Sequence, residues 1–220
     1  GTIPILGNVM IEAEGAEVAL RATDLDIEIV ETVPAMVERA GSATAPAHTL
    51  HDIVRKLPDG ATVTLRHDAE AARMSVEAGA ARFTLPTLPR EDFPVMASSE
   101  YDVSYAAPAP ALRRLFDKAS FAISTEETRY YLNGVYLHVV EREGADRLRA
   151  VATDGHRLAC IDADAPAGSA KAPAVIVPRK TVAELRKLLD AEEGEVEVSV
   201  SETKIRFRAG GLTLTSKVID

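Results

Sequence analysis

The sequence predicts an α+β fold, rich in antiparallel strands and built twice over. Three observations carry that reading. Short strings recur in the same order in both halves, strand-like runs alternate apolar and polar residues with period two, and only three stretches have helical periodicity. Leu6-Gly7-Asn8-Val9-Met10-Ile11 reads against Leu132-Asn133-Gly134-Val135-Tyr136-Leu137, and Leu20-Arg21-Ala22-Thr23-Asp24 against the run ending Ala152-Thr153-Asp154. Ala45-Pro46-Ala47-His48-Thr49-Leu50 lies over Val177-Pro178-Arg179-Lys180-Thr181-Val182. An offset of about 130 residues is too long for a solenoid repeat and suits a duplicated domain. The division predicted is 1–100 and 101–220.

The elements follow in chain order. Asp24, Asp26 and Glu28 alternate on a predicted strand, so their carboxylates share a face. Residues 49–57 place Leu50, Ile53, Val54 and Leu57 on one helical face, stopped by Pro58-Asp59-Gly60. Thr62-Val63-Thr64-Leu65 alternates as a strand. The second half opens with a strand at 103–106 and a helix at 110–121, whose inner stripe is Leu112, Leu115, Phe116 and Ala119. The first half has no counterpart of that pair before Thr2, so the sequence reads as a fragment. Residues 181–189 form a helix on Val182, Leu185, Leu188 and Leu189, with Thr181 and Glu184 spaced as a capping box. Strands at 195–200 and 212–219 close the second half. Alternation of this kind buries one face and wets the other.

Composition sets limits on function. The 220 residues carry a net charge of −9, with 46% hydrophobic and 27% charged residues, a globular balance with core enough to fold. No apolar run reaches the roughly 18 residues of a membrane-spanning helix, and no leader pattern opens the sequence. The single cysteine, Cys160, excludes a disulfide framework within the chain and fits a reducing cytoplasm. It lies in an apolar run and reads as a buried, inert thiol. Cations outnumber anions on the three helices, through Arg113, Arg114 and Lys118, Arg55 and Lys56, and Arg186 and Lys187. Basic helices on an acidic chain fit a surface that faces a polyanion.

Catalytic chemistry finds little support. Phosphate-cradling loops, a nucleophile elbow and HExxH are missing from the sequence. Asp24, Asp26 and Glu28 could hold a hard cation, and His48, His51 and Asp52 sit at helical spacing; a metal-dependent hydrolase built on Asp24, Asp26 and His48 is the enzyme alternative. No metal and no cofactor is expected. Arg129-Tyr130-Tyr131 stands out, because a strand would point adjacent tyrosines to opposite faces and expose one. Residues 153–158 stand out too: Gly155, His156, Arg157 and Leu158 replace what reads in the first half as an ordinary strand, which points to a task held by one copy. A two-domain scaffold that docks a protein there, with no role on DNA, is a third reading.

The strings TIPILGN at 2–8, ATDLD at 22–26, RYYLNG at 129–134, ATDGHRLA at 152–159, VIVPRK at 175–180 and TSK at 215–217 together resemble the bacterial DNA polymerase III beta subunits, the sliding clamps. The resemblance implies a duplicated DNA-clamp domain, with antiparallel sheets outside and paired helices lining the inner surface. It also implies a third clamp domain that this chain lacks, and a full-length homodimer closed head to tail around double-stranded DNA without sequence preference. On that resemblance Tyr130, Tyr131, Arg179, Lys180, Arg113, Arg114, Lys118, His48, Arg55 and Lys56 face DNA. His48 falls where relatives often carry Arg. Arg129, Leu132, Thr153, Gly155, His156, Arg157 and Leu158 form half of a cleft that captures short linear motifs of the polymerase III alpha subunit, the clamp loader, other polymerases and repair proteins. Arg82, Phe83 and Leu85 lie at a subunit interface. The implied role is non-catalytic, processivity in a cytoplasmic, nucleoid-associated protein.

Overall fold

The structure, a computed structural model, describes residues 3–220. Thr2, part of one motif quoted above, lies outside the described residues, as does Gly1. The chain divides into two compact units, Gly1–Met96 and Ala97–Asp220.

Unit 1 begins with a 3-10 turn at Pro4–Gly7, then β1 (Asn8–Glu14), β2 (Glu17–Thr23), β3 (Ile27–Pro34) and β4 (Gly41–Pro46). Helix α1 (Ala47–Val54) follows, then β5 (Thr64–Asp68), β6 (Arg73–Ala78) and β7 (Ala81–Pro86). One antiparallel sheet runs β4-β1-β2-β3 and a second runs β5-β6-β7. Their facing sides and α1 bury Ile11, Ala45, Ile53, Met74, Val76 and Leu85 in one core. Each such side chain contributes on the order of 1.5–3 kcal/mol for the larger residues.

Unit 2 begins with β8 (Val103–Pro108) and α2 (Ala109–Ala119), then 3-10 turns at Ser120–Ala122 and Glu127–Leu132. After these come β9 (Gly134–Arg142), β10 (Ala145–Thr153), β11 (Leu158–Asp164), β12 (Val175–Pro178), α3 (Arg179–Leu189), β13 (Glu195–Val200), β14 (Lys204–Ala209) and β15 (Leu212–Lys217). Its sheets run β12-β9-β10-β11 and β8-β13-β14-β15, all antiparallel. Helices α2 and α3 pack side by side against them. Leu112, Leu115 and Phe116 of α2 and Val182, Leu185 and Leu189 of α3 are buried, at the helical spacing that the sequence shows. Phe116 meets Phe207 edge to face with ring centres 6.1 Å apart.

From β1 to β7 and from β9 to β15 the order of elements is the same, and so is the strand order β4-β1-β2-β3 and β12-β9-β10-β11. Even the closing bridges correspond, Thr44 to Leu88 and Ile176 to Ile219. The fold is α+β, with no counterpart of β8 and α2 among the described residues of unit 1.

Several local expectations are corrected. The carboxylate strand at 24–28 is broken by a turn: β2 ends at Thr23, Asp24 and Asp26 lie in the turn, and Glu28 lies on β3, which starts at Ile27, buried beside Arg21 at 2.7 Å. Helix α1 ends at Val54, so Arg55 and Lys56 follow its last turn. Thr62 and Val63 precede β5 rather than opening it. Helix α3 starts at Arg179 behind Pro178, and Thr181 makes no capping box. Its hydroxyl is buried against Ser216 at 2.6 Å, and Glu184 pairs with Lys187. The thiol of Cys160 is exposed, because period-two alternation on β11 buries Ala159 and turns its neighbour outward.

Candidate functional site

Two surfaces gather the singled-out residues of unit 2. The first begins with the turn joining β10 to β11. Asp154 Oδ1 accepts the amides of His156 and Arg157 at 2.9 and 3.0 Å, while Thr153 Oγ1 donates to the Arg157 carbonyl at 2.7 Å and accepts the Gly155 amide. These bonds, with Arg157 beside it, hold the Asp154 carboxyl down at about 2. Gly155 adopts φ +90°. The turn leaves His156, Arg157 and Leu158, the first residue of β11, exposed, Leu158 at 63%.

Unit 1 contains the same turn. Thr23 Oγ1 donates to the Ile27 carbonyl at 2.8 Å, and Asp24 Oδ1 accepts the amides of Asp26 and Ile27. Leu25 stands where unit 2 has Gly155 and carries φ +82°. The expected contrast between a strand in one copy and a special loop in the other is therefore corrected: the backbone device is shared, and only residues 25–28 and 155–158 differ. Thr and Asp set the geometry, so the string between them hid the likeness.

Around the unit 2 turn stand Arg129, Leu132 and two residues the motifs did not point to. Phe121 is exposed, with the Arg157 guanidinium 5.3 Å from its ring centre. Its signal was its position off the buried stripe of α2, which ends at Ala119. Tyr136 is the second, lining a small pocket of about 80 Å³ with Tyr131, Leu132, Val151, Thr153 and Ile176. Arg129 pairs with Glu126 at 3.3 Å, and its guanidinium would lie 3.0 Å from any Cβ placed at Gly155. Tyr130 and Tyr131 are both exposed, because they sit in a 3-10 turn rather than on a strand, and their rings meet edge to face 5.7 Å apart.

The second surface is the pair α2 and α3. A groove of about 500 Å³ runs between them, lined by Asp117, Phe121, Arg179, Val182 and Arg186. Lys118, Lys180 and Lys187 are exposed on the same two helices. Arg186 reaches across to Asp117 at 2.5 Å. Two of the residues expected to face DNA also hold carbonyls within unit 2. Arg113 donates to the carbonyls of Leu189, Asp190 and Glu192 at 2.7–3.3 Å, capping the end of α3, and Arg114 donates to the Asp162 carbonyl at 3.0 Å.

On the β12-β9-β10-β11 sheet of unit 2, Asp162 is held by Arg149 at 2.6 Å and by Arg142 at 3.1 Å, which keeps its carboxyl at about 2. Beside Arg149, partial burial and then that guanidinium lower the affinity of His138 for a proton. In unit 1, His48, His51, Arg55 and Lys56 are exposed around α1, with Asp52 paired to Arg55 at 3.0 Å. Among the described residues no three His, Cys, Asp or Glu side chains converge as a metal site would need. Arg82 and Phe83 are exposed on β7, which pairs within its sheet only with β6. Leu85 is corrected from a contact to a core residue, 4% exposed and packed in the cluster that holds Met74 and Val76.

A twice-repeated unit of two antiparallel sheets, backed by basic helices, is the architecture of the sliding clamps. A Caulobacter crescentus pol III beta structure superposes with a TM-score of 0.96 at 53% identity, over 100% of this chain and 60% of that one. A sliding clamp from Bartonella birtlesii gives 0.95 at 49% identity, over 100% and 59%. The N-terminal domain family of the DNA polymerase III beta subunit matches residues 1–97, and its central domain family matches 107–220. The chain belongs to the DNA polymerase III beta subunit family. The beta sliding clamp of Caulobacter vibrioides is 53% identical over 219 residues, and that of Escherichia coli K12 39% identical over 222. This chain spans 59% and 58% of the length of those two relatives.

Proposed function

We propose that this chain is the first two domains of a processivity factor, a homodimeric ring that encircles duplex DNA and tethers a replicative polymerase. The supporting observation is the α2–α3 groove, which Arg179 and Arg186 help to line, with Lys118, Lys180 and Lys187 exposed on the same two helices of a chain of net −9. Sequence-independent cations of this kind favour any phosphate backbone, and binding weakens as salt rises. The mechanism is topological and non-catalytic. Escape requires the ring to open, so weak contacts suffice for sliding, and tethering raises the local concentration of the polymerase at the primer end.

The Arg129, Leu132, Gly155–Leu158 surface with Phe121 serves as a docking cleft for short apolar motifs of polymerases, the clamp loader and repair proteins. The open edge of β7, with Arg82 and Phe83, serves as one half of a head-to-tail subunit contact, a heterologous interface that closes on itself. A third domain completes the cleft and the ring, and the protein works in the cytoplasm on the nucleoid. The test uses the full-length protein, loaded on nicked circular and on linearised DNA. Retention on circles with loss from linear ends is the expected result, and equal loss from both removes the topological mechanism.

A further inference from the structure

The α2–α3 groove contains a carboxylate that opposes its own positive charge. Among the described residues that line it, Asp117 alone is acidic, against two arginines, Arg179 and Arg186. Its place on α2 puts Asp117 one turn from Arg113 and Arg114, the neighbours with which a helical carboxylate ordinarily pairs. Both are engaged elsewhere, Arg113 on carbonyls at the end of α3 and Arg114 on the Asp162 carbonyl. Asp117 instead joins the two helices: its Oδ1 accepts the Nε–H of Arg186 at 2.5 Å. On α3, Glu184 pairs with Lys187 at 3.1 Å and not with Arg186.

The pair adds little to the packing of the helices. Leu112, Leu115 and Phe116 are buried on α2, as are Val182, Leu185 and Leu189 on α3, and these hold the two helices in the core. The side chains of Asp117 and Arg186 are 41% and 44% exposed, and an ion pair in that much water contributes little to stability. Its effect falls on the groove. Two arginines and one carboxylate leave the lining with one net positive charge instead of two. A phosphate held by the remaining nitrogens of Arg186 would lie beside the Asp117 carboxylate, and like charges at that range repel.

We infer that Asp117 is a positioning residue that holds Arg186 off the DNA backbone and keeps the grip of the groove weak enough for sliding. This rests on the DNA-encircling function proposed above and adds to it the residue that sets contact strength. An acid inside the groove limits how many phosphates its cations neutralise, so the number of cations alone overstates the contact.

The test uses the full-length protein and a short fluorescent DNA duplex, with binding followed by anisotropy over a series of salt concentrations. Asp117→Asn is expected to steepen the fall of log affinity with log salt by about 0.9 per subunit, the contribution of one added phosphate contact. Binding at low salt tightens by about threefold or more. Asp117→Glu keeps the charge and is expected to behave as the unaltered protein. Arg186→Gln is expected to remove more slope from Asp117→Asn than from the unaltered protein, by the same amount per subunit. Equal losses in the two backgrounds place Arg186 on the backbone already and overturn the inference. A purely structural Asp117 would shift the urea midpoint of Asp117→Asn and leave the salt slope unmoved, which also overturns it. Should Asp117→Asn fail to fold, Asp117→Ser takes its place. Unmoved slopes in a protein that stays on nicked circles overturn this inference alone. Absence of binding and of retention in every form removes the clamp function, and the inference with it.

Discussion

Leu25 and Gly155 occupy the same place in two copies of one turn, yet only one of them is suited to it. A left-handed backbone costs a non-glycine residue about 1–2 kcal/mol. Leu25→Gly is expected to raise the stability of the chain by about 1 kcal/mol in urea unfolding, whereas Gly155→Ala lowers it and displaces Arg129, which leaves a Cβ only 3.0 Å of room. A stability gain from Gly155→Ala would remove the strain account. Gly134 is tighter still: an added Cβ would lie 2.3 Å from the Val177 carbonyl oxygen, so Gly134→Ala is expected to cost about 1–3 kcal/mol by the same measurement. Acid acts on the two depressed carboxyls. Asp154 and Asp162 bind protons less readily folded than unfolded, so their contribution is present above the usual carboxylate range near pH 4 and is lost as pH falls toward about 2. Thermal scans from pH 5 to pH 2 are expected to show a steeper fall in the unaltered chain than in Asp162→Asn.

At the scale of elements, helix α3 depends on a side chain that its own sequence does not contain. Arg113 satisfies carbonyls at the end of α3, so Arg113→Ala is expected to cost about 1–2 kcal/mol in urea unfolding. In the full-length protein that variant retains DNA as the unaltered protein does, while Lys118→Glu with Lys187→Glu shortens retention on nicked circles. The reverse pattern would return Arg113 to the DNA face. The helices themselves were legible in the sequence, because Leu112, Leu115, Phe116 and Val182, Leu185, Leu189 recur at a period that only a helix places on one side. Their ends were not. Thr181 sits at the right spacing from Glu184 for a capping box, but its hydroxyl meets Ser216, a partner 35 residues away that no local pattern announces. Tyr130 and Tyr131 read as strand residues for a similar reason, since a 3-10 turn has no periodicity of its own over so few residues. Arg113 and Arg114 read as helix charge, and charge alone does not say which carbonyl a guanidinium will find.

For the whole molecule, the duplication is visible because its strings keep order and spacing, while the likeness of the two turns emerges only from their matched hydrogen bonds. The exposed edge of β7 carries the prediction at this scale. Phe83→Lys in the full-length protein is expected to shift the dimer toward monomer in light scattering, and an unchanged mass would move the subunit contact elsewhere.

The paired turns also bear on how such a protein changes over generations. Their shape is enforced by Thr23 with Asp24 and by Thr153 with Asp154, not by the residues at the tip. The tip is thereby released from holding the chain together, and substitutions there alter what the surface offers without altering the path of the backbone. One copy has spent that freedom on Leu25, Asp26 and Ile27, the other on Gly155, His156 and Arg157. A duplicated scaffold with two fixed posts and a variable tip can specialise one copy while the other preserves the frame.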